Sequence, residues 1–599
     1  MNKLLFNFIT IVMISTSCLQ ASYKIAYADS MTKIRMEKEY ASDLPIVSDI
    51  DVDMAANESE SFQLVIIPDD SNIEEVFVNF ENTTFDADEL AIEYFKVGYV
   101  KTGKPKKYDP LYVGYWPDRL MPVDTFDVKS ENVAVLWFKI TTNKNIRRGS
   151  YKTDIRITSA RQSDLVELNV KVRDFVIPEK GTFAAPFGLY LPYISKWYFS
   201  DEDYIGNITP EQYGQMCESL YEYRLTPKNI GYEYVHRKIG DQVLPQAGAN
   251  AGRIFVHKDM SKPISVDMES LQKTIGRLGD QFPDYSYGIY RLPPYEELLK
   301  DADITNGQRD TSRENLDNLV LPALAHIKEW KKQNLSSVGY IYGVDEPREF
   351  HLGFLKELYT KIKAELPDVK ILQVISTGDP SKLEGLVDIW CPLTILLHRE
   401  YDFFQKRVAA GDMLWTYVCC WPEPPFANFF IDEPGIDHRA LFWQAQKAGA
   451  TGLLYWSVAW FEGLEELKAP DGITLKEPVD MTKHEMYGRS KVNGDGLLLY
   501  PAENFQFNPS IRLEIIKDGI EDCEYFSLLK ALVQEVENIK SLDQEDAARL
   551  SQARKLIAVP DDIVEDMINH TSRSNDITDH RRKIADAIES LMKIKEKRK

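Results

Sequence analysis

The sequence predicts a multidomain protein of the β plus α/β class: a β-sandwich, then a (β/α)₈ TIM barrel, then a helical C-terminal tail. The 599 residues are more than one hydrophobic core can serve. Period-two hydrophobic patterns fill the first part of the chain, and short apolar strands then alternate with long amphipathic helices. We therefore expect a leader at 1–21, a β-sandwich at 22–180, a catalytic barrel at 181–540 and a tail at 541–599.

The β-sandwich prediction depends on strand-like patterns separated by short turns. Residues 151–157 and 168–175 alternate between apolar and polar side chains, as strands with one buried face do. Residues 61–67 and 133–140 contain longer apolar stretches, which are typical of buried strands. No convincing long helical pattern interrupts this part, so we expect two packed sheets.

The barrel prediction depends on eight strand and helix alternations, the number that a (β/α)₈ barrel needs. The predicted strands lie at 183–190, 229–232, 285–290, 338–342, 370–375, 388–390, 413–418 and 452–456. Helical patterns separate most of them, for example at 312–332, 352–365 and 435–449. After the eighth strand, an insertion at 462–493 is expected over the active-site face, and a helix at 511–536 is expected to close the barrel.

Charge and composition argue against several function classes. The net charge of −22 argues against nucleic acid as a partner, because phosphate binding requires clustered lysines and arginines. The six cysteines form no CxxC pair, and the nine histidines form no HExxH or HxxxH motif. We therefore expect no built-in metal site and no cofactor.

The first residues have the pattern of an export signal. Lys3 precedes an apolar run at 4–14 that is too short to span a bilayer. Small residues before Cys18 are similar to a bacterial lipoprotein cleavage site, at which Cys18 would be lipidated and would tether the protein to a membrane. Ser15 stands where leucine is usual, and cleavage after Ala21 is the alternative. We expect export to the periplasm or the outer membrane.

The fourth predicted strand ends in two adjacent acids, Asp345 and Glu346. Catalytic groups of (β/α)₈ barrels lie at the C-terminal ends of strands. Pro347 limits Glu346 to extended or turn geometry, and neighbouring side chains on an extended segment diverge. One carboxyl can therefore point along the floor of a cleft and the other toward a scissile oxygen. The alternative is an acidic pair that only opens a loop and caps the next helix.

Aromatic residues at other predicted strand ends favour a sugar-binding wall on the same face. These candidate substrate-binding residues are Trp390, Tyr417, Trp421, Trp456 and Trp460. Each alone would more often belong to a core, but several at one face suit a sugar. The loop acids expected on that face are Asp379, Glu423 and Asp432. Glu423 is the reserve candidate for a second catalytic carboxylate.

On these residues the sequence resembles glycoside hydrolase family 123. The resemblance rests on the Val-Asp-Glu-Pro strand end at 344–347, the preceding β-sandwich, the Ser-Glu-Ser-Phe-Gln segment at 59–63 and the segment 512–525. The last is similar to the family's R-x-E-x-x-R-x-G-x-E-D-x-E-Y helix, with Lys517 and Asp518 replacing common variants. The resemblance covers nearly all of the chain after the leader.

The resemblance implies an exo-acting, retaining N-acetyl-β-galactosaminidase that releases terminal β-linked GalNAc from glycans by substrate-assisted catalysis. Glu346 would then be the general acid/base. Asp345 would orient the substrate's 2-acetamido group while its carbonyl oxygen attacks the anomeric carbon. This agrees with simple geometry, because two adjacent carboxyls are poorly placed to attack a sugar from opposite faces. Arg512 and Glu514 are interpreted as an ion-pair network that supports the last helix.

Two alternatives stay open. One is another exo-glycosidase or a glycan lyase on the same scaffold, which would need a second carboxylate if its substrate lacked a 2-acetamido group. The other is a non-catalytic surface glycan-binding protein, against which the two intact acids argue. A screen of nitrophenyl glycosides that includes β-GalNAc and β-GlcNAc discriminates among these functions.

Overall fold

The computed structural model describes residues 22–199, 208, 210–232, 238–239, 242–243, 254–257, 265–266, 282, 288–291 and 339–598. The expected leader with Cys18 and the predicted helix at 312–332 lie outside these residues, as do residues 285–287 of the third predicted strand. Over the described residues the protein has a mixed α/β architecture with a β-rich N-terminal part, a set of parallel strands and a helical C-terminal part.

The N-terminal part consists of two sheets that share one apolar core. Its strands are β1 Tyr23–Asp29, β2 Asp49–Ala56, β3 Ser59–Pro68, β4 Ile73–Glu81, β5 Leu90–Lys101, β6 Tyr115–Met121, β7 Phe126–Val128, β8 Ala134–Thr142, β9 Gly149–Thr158 and β10 Ser163–Val176. The first sheet has the order β1-β3-β8-β5, with β6 on β5, and the second has the order β2-β10-β9-β4-β7. Leu64 and Leu136 of the first sheet pack with Ile155 and Leu168 of the second. The alternating patterns thus bury their apolar faces between the sheets.

The parallel strands form two sheets, which we refer to together as the parallel cycle. They are β11 Pro186–Phe187, β12 Thr226–Pro227, β13 Asn229–Tyr232, β18 Gly288–Arg291, β19 Tyr340–Tyr342, β20 Lys370–Ile375, β21 Ile389–Pro392, β22 Met413–Leu414, β23 Thr416–Val418 and β24 Leu453–Tyr455. Each strand is parallel to its neighbours, and β24 pairs with β11 through Tyr455 and Phe187. The two sheets have the orders β12-β11-β24-β23 and β13-β18-β19-β20-β21-β22, and they adjoin where Lys228 separates β12 from β13 and Trp415 separates β22 from β23.

Side chains of this cycle point alternately inward and outward. Tyr340 and Tyr342 of β19 belong to an inner cluster with Leu372 and Val374 of β20. Ile341, between the two tyrosines, belongs instead to the large outer cluster that the helices cover. A period of two along each strand therefore decides which residues reach the interior.

The remaining strands are short. They are β14 Lys238–Ile239, β15 Gln242–Val243, β16 Ile254–His257, β17 Ser265–Val266, β25 Val479–Asp480, β26 Leu499–Pro501 and β27 Phe507–Pro509. The predicted insertion at 462–493 contains β25, which pairs in parallel with β5. This insertion therefore extends the first N-terminal sheet and ties it to the parallel strands.

The described residues contain ten α-helices. They are α1 Leu191–Phe199, α2 Pro210–Tyr221, α3 Leu352–Glu365, α4 Thr394–Arg399, α5 Tyr401–Ala409, α6 Gly435–Lys447, α7 Glu485–Ser490, α8 Ile511–Glu537, α9 Gln544–Leu556 and α10 Ser574–Lys597. Helices α8 and α10 share a core with Val135 and Trp137 of β8, so the C-terminal tail packs back on the first sheet. Over the described residues, no helix is long and apolar enough to cross a membrane.

Candidate active site

The backbone that leads to the two acids is held tightly. The amide of Gly343 donates to the Leu372 carbonyl at 2.8 Å, and a Cβ at Gly343 would approach the Tyr359 hydroxyl to 2.4 Å. The amide of Val344 donates to the same Tyr359 hydroxyl at 3.2 Å, and the Gln373 side chain donates to the Val344 carbonyl at 2.9 Å. Glycine is therefore required here, and the strand end has little freedom.

Asp345 and Glu346 follow this strand end, and both are exposed. Glu346 has a φ of 41°, in the left-handed region that a residue with a side chain seldom adopts. Such a conformation costs on the order of 1–3 kcal/mol and tends to occur at functional sites. Neither acid caps the next helices, because Arg348 and His351 occupy the N-cap positions of the 3₁₀ turn Glu349–His351 and of α3. The helix-capping alternative is therefore wrong for this pair.

Two tyrosines of the inner cluster hold the acids. The Tyr342 hydroxyl donates to Oδ1 of Asp345 at 2.7 Å, and the Tyr417 hydroxyl donates to Oε1 of Glu346. Tyr342 and Tyr417 are themselves buried, on β19 and β23. The two carboxylates are thus oriented by neutral hydroxyl donors on the buried side of the strand end.

The surroundings adjust the acidity of Glu346. Partial desolvation raises the pKa of its carboxyl, the hydrogen bond from Tyr417 lowers the pKa, and the negative charge of Asp345 raises it, with a net upward shift. A carboxyl with a raised pKa keeps its proton nearer to neutral pH, which is what a general acid needs.

Two of the aromatic residues predicted to bind a sugar lie at the acids or beside their tyrosines. Tyr417 contacts Glu346 directly, as described, and the partly buried Trp421 packs against the inner cluster that contains Tyr342 and Tyr417. Asn428 fixes the loop that carries Trp421 by donating to the carbonyls of Cys419 and Pro422, both at 2.9 Å. The structure therefore places Tyr417 in contact with Glu346, and Trp421 against the cluster that contains both tyrosines.

Trp456 and Trp460 form a second aromatic group after β24. Their rings meet edge to face with centroids 4.9 Å apart, and Trp460 also packs on Tyr190 and Tyr193 at 4.6 and 4.3 Å. Trp460 is buried, whereas Trp456 is partly accessible. Of this pair, Trp456 is the ring that a ligand can reach, and Trp460 supports it.

Trp390 does not join the site. It is fully buried in the outer cluster, against Phe403 and Phe404, and its indole donates to Asp412 at 2.8 Å. Its neighbours Ile389 and Cys391 are the β21 residues that point inward. The expectation that Trp390 contacts a sugar is therefore wrong for this structure, because strand parity turns the ring outward.

Asp495 is a site residue that the sequence reasoning missed. Its Oδ1 accepts from the Tyr455 hydroxyl and from the Trp456 indole, both at 2.9 Å, while its buried Oδ2 has no donor among the residues that the structure describes. Burial raises the pKa of Asp495 to about 6. The pKa of the Cys419 thiol is raised by its hydrogen bond with Cys420, by burial and by the charges of Cys420, Asp495 and Glu346. Asp495 and Glu346 therefore both contribute to the electrostatic surroundings of Cys419.

The loop acids have structural partners. Glu423 pairs with Lys107 at 2.6 Å, and Asp379 accepts from the Ser381 amide at 3.0 Å. Asp432 accepts from Tyr108 at 2.9 Å and from Asn493 at 2.8 Å. Within the described parts of the chain, no three histidine, cysteine or acidic side chains are grouped so that they could hold a metal ion.

The acids of α8 are buried in a polar network, as interpreted for Arg512 and Glu514. Arg512 binds Asp118 of β6 through two nitrogens at 2.7 and 2.8 Å, and also donates to the carbonyls of Phe429 and Gly494 at 2.6 and 3.0 Å. Glu514 accepts from Tyr223 at 2.9 Å and lies 3.3 Å from the Lys139 ammonium. This network joins the N-terminal sheets, α8 and the loop that carries Asp495.

Comparison with known proteins agrees with this architecture. Residues 302–529 match the model of the glycoside hydrolase 123 catalytic domain, a span that contains both acids and Asp495. No curated protein matches the chain in sequence. A family 123 glycoside hydrolase from Clostridium perfringens, described for glycolipid glycan hydrolysis, superposes with a TM-score of 0.67 at 16% identity, covering 96% of this chain and 98% of that one.

Two other structures are less similar. An endo-β-1,4-mannanase from Thermotoga petrophila has a TM-score of 0.33 at 12% identity, covering 57% of this chain and 77% of that one. A β-D-glucuronidase from Dictyoglomus thermophilum has a TM-score of 0.30 at 8% identity, covering 83% and 97%. Scores this low do not establish a common fold. Residues 302–529 are therefore similar to a family 123 catalytic domain, and the Clostridium structure shows a similar fold over nearly the whole chain.

Proposed function

We propose that the protein is an exo-acting, retaining β-N-acetylgalactosaminidase that uses substrate assistance. The observation that carries the proposal is the adjacent pair Asp345 and Glu346 at the end of β19, each oriented by a buried tyrosine. Retaining enzymes with their own nucleophile place two carboxyls on opposite sides of the sugar, about 5–5.5 Å apart. Two consecutive residues on one strand end suit a substrate that supplies its own nucleophile.

Glu346 is the general acid/base in this proposal. Its raised pKa supports proton donation to the glycosidic oxygen in the first step. The same carboxylate then removes a proton from the water that opens the cyclised intermediate. The hydrogen bond from Tyr417 fixes one oxygen, so the other oxygen is the one that moves the proton.

Asp345 orients the acetamido group. As the acetamido oxygen attacks the anomeric carbon, positive charge develops on the acetamido nitrogen, and a nearby carboxylate stabilises that charge. The hydrogen bond from Tyr342 at 2.7 Å holds the Asp345 carboxyl in one orientation. Preorganisation of this kind avoids reorienting the group during the reaction.

Trp421 and Trp456 are the proposed sugar platforms, with Tyr417 as a positioning residue. Aromatic faces provide the flat apolar surface that a pyranose ring needs. The indole nitrogen of Trp456 is fixed by Asp495, so the orientation of this ring is set from behind.

We also interpret the parallel cycle as a closed (β/α)₈ barrel and the two N-terminal sheets as a β-sandwich. The pairing of β24 with β11 supports the first interpretation, and the common apolar core of the two sheets supports the second. Export to the periplasm or outer membrane, with a tether at Cys18, remains our proposal from the leader sequence. The Clostridium relative makes glycolipid glycans natural candidates for the substrate.

The test combines a substrate screen with a mechanism probe. The full-length protein should hydrolyse nitrophenyl β-GalNAc faster than the β-GlcNAc and 2-hydroxy analogues. GalNAc-thiazoline, which resembles the bicyclic intermediate, should inhibit strongly. Asp345→Asn should lower kcat on the order of 10²–10³-fold, because the amide cannot offset the charge on the nitrogen, and should weaken thiazoline binding.

A 2-fluoro sugar with a good leaving group tests for the alternative mechanism, in which a carboxylate of the protein is the nucleophile. Substrate assistance predicts no covalent adduct on the protein. A stable glycosyl-enzyme mapped to Glu423, Asp495 or another acid would replace this mechanism by the ordinary two-carboxylate one. Binding of glycans without hydrolysis of any of them would favour a non-catalytic role.

A further inference from the structure

A loop of the N-terminal part reaches the catalytic face. Residues 102–114 connect β5 to β6, and the loop is anchored at several points. The Gly103 amide donates to Asn493 at 2.9 Å, and Asn493 donates back to the Gly103 carbonyl at 2.9 Å. Tyr108 stacks on Phe430 with centroids 6.0 Å apart. These contacts fix the base of the loop against residues next to the active site.

The loop lies close to the proposed sugar platform. Lys107 pairs with Glu423 at 2.6 Å, and Glu423 is two residues beyond Trp421. Tyr108 donates to Asp432 at 2.9 Å, and Asp432 also accepts from Asn493, two residues before Asp495. The loop therefore borders the rim of the cleft on the side of Trp421.

The C-terminal part of this loop, just before β6, is apolar and exposed. Leu111 is 75% exposed and Val113 is 44% exposed. Tyr40, which is 50% exposed, continues the surface, because the Arg35 guanidinium lies over both the Tyr40 and Tyr112 rings at 4.4 and 4.2 Å. We refer to Leu111, Val113 and Tyr40 as the apolar tip. Exposed large apolar side chains grouped beside a functional site often mark an interaction surface.

The loop is also basic in an acidic protein. Residues 102–114 contain Lys104, Lys106 and Lys107 and one acid, Asp109, while the whole chain has a net charge of −22. Because Lys107 is paired with Glu423, Lys104 and Lys106 are the lysines that this surface offers to an anionic partner. Lys104 and Asp109 are 3.6 Å apart and both strongly exposed, so their pairing is weak and easily exchanged. A surface that combines exposed lysines with apolar side chains is suited to the boundary between headgroups and acyl chains.

We infer that residues 102–114, together with Tyr40, dock the enzyme on a lipid surface that bears anionic headgroups, so that a glycolipid headgroup enters the cleft beside Trp421. The inference rests on the proposed function for the identity of the sugar, but the docking itself does not. An acidic soluble glycan would be attracted by the same lysines, yet it would leave Leu111 and Val113 in water. The apolar tip therefore favours the lipid surface.

The experiment measures docking and hydrolysis separately in the full-length protein. Docking is measured by cosedimentation with vesicles of phosphatidylcholine, with and without phosphatidylglycerol. Hydrolysis is measured on a soluble aryl β-GalNAc and on a GalNAc-terminated glycolipid in the same vesicles. The variants are Leu111→Ser with Val113→Ser, and Lys104→Glu with Lys106→Glu. Leu165→Ser, at another exposed leucine, is the matched control.

Wild type and Leu165→Ser should bind the anionic vesicles. Each loop double variant should bind at least about tenfold more weakly and lose a similar factor in kcat/KM on the glycolipid, with aryl-glycoside kcat/KM within about twofold of wild type. Absence of vesicle binding by the wild type overturns the inference, as does binding that the loop variants leave unchanged. Retention of a soluble sulfated glycan that depends on the lysines but not on Leu111 and Val113, without vesicle binding, assigns the loop to acidic glycans instead.

The two proposals fail in different ways. If the aryl β-GalNAc is not hydrolysed but the vesicle binding depends on the loop, the proposed sugar specificity is wrong and the docking surface stands. If the aryl substrate is hydrolysed and no loop variant changes glycolipid turnover, the docking surface is wrong and the proposed activity stands.

Discussion

Two groups of acids in this chain have opposite surroundings. Asp345 and Glu346 are exposed at a strand end and accept hydrogen bonds from the neutral hydroxyls of Tyr342 and Tyr417. The acids of α8 are buried and bind guanidinium groups, as Asp522 does with Arg439 at 2.7 and 2.8 Å. The residue types are the same. A carboxylate that accepts from a neutral hydroxyl can still exchange protons, whereas a carboxylate bound by a bidentate arginine is held as a charged structural partner.

The difference shows how acidic motifs in a sequence should be interpreted. The α8 motif is the longer and more specific pattern, yet its side chains hold the C-terminal helices against the N-terminal sheets. The two-residue strand end is the weaker pattern, yet it lies where substrate can reach it. A long and specific sequence motif therefore indicates that many contacts constrain its residues. Whether its acids take part in a reaction depends on the groups that surround them.

The largest expected effect is on catalysis at the exposed pair. Glu346→Gln should lower kcat/KM on natural glycosides by on the order of 10²–10⁴-fold, the usual contribution of acid–base catalysis. Aryl glycosides with good leaving groups should lose much less, because they need little protonation. Steady-state kinetics on both substrate types measures this. Glu423→Gln, at a nearby loop acid, should change both rates only slightly, and equal losses on the two substrates would remove Glu346 from the acid role.

A stability effect should appear at the buried group instead. Asp522→Asn removes the charge that faces Arg439 and Arg581, and breaking a buried pair costs about 3–5 kcal/mol. For a chain of this length that corresponds to a drop in Tm of about 3 °C by calorimetry, with aryl-glycosidase kcat retained at low temperature. Asp561→Asn breaks the exposed pair with Lys447 and should have almost no effect. A similar shift in both variants would mean that burial does not distinguish the pairs.

Tyr417→Phe should change the pH dependence of catalysis, because it removes the neutral donor to Glu346. The Tyr417 hydrogen bond stabilises charged Glu346 and lowers its pKa, so removing it should raise that pKa. The acid then stays protonated to higher pH, and the alkaline limb of kcat/KM should move up by about one pH unit. Tyr340→Phe is the control, because the Tyr340 hydroxyl donates to the Lys228 carbonyl at 3.0 Å. An unmoved or lowered limb in Tyr417→Phe would contradict the assignment.

The smallest expected effect concerns Asp495, an acid that is buried but held by neutral donors. Its folded pKa of about 6 lies above the unfolded value near 3.8, so the folded state binds more protons between these values. Its contribution to stability is therefore present below pH 4 and is lost as the pH rises through 6. Asp495→Asn should weaken this pH dependence, by about 1–2 °C in Tm between pH 4 and 7. Parallel Tm profiles of wild type and variant would disprove it.

The strands of the parallel cycle could largely be predicted, but the direction of their side chains could not. The predicted strand at 370–375 coincides with β20, and the other described strands fall within or near their predicted ranges. Trp390 shows the limit, since β21 begins one residue later than predicted and this tryptophan faces the helices. A short strand that is buried on both faces carries no polar residue to indicate which side is which.

The candidate site was predictable where it depends on neighbouring residues. Asp345 and Glu346 are adjacent, so their juxtaposition needs no tertiary structure. Their tyrosine partners arise from the pairing of strands distant in sequence, as between Glu346 and Tyr417. Asp495 had only a weak local signal, a glycine on each side, and both glycines have positive φ. A Cβ at Gly496 would come within 2.3 Å of the Trp456 ring, which explains the glycine but could not be known beforehand.

Arg512 has a consequence for how such proteins can be divided or recombined. Its guanidinium is completely enclosed, and its counter-charge, Asp118, belongs to the N-terminal sheets. The same group supports the Gly494 carbonyl beside Asp495. A fragment that began at residue 181 would enclose a cation without its anion, next to the active-site loop. We therefore expect the N-terminal sheets to be required for a stable C-terminal part, so that a fragment without them would not serve as a transferable module.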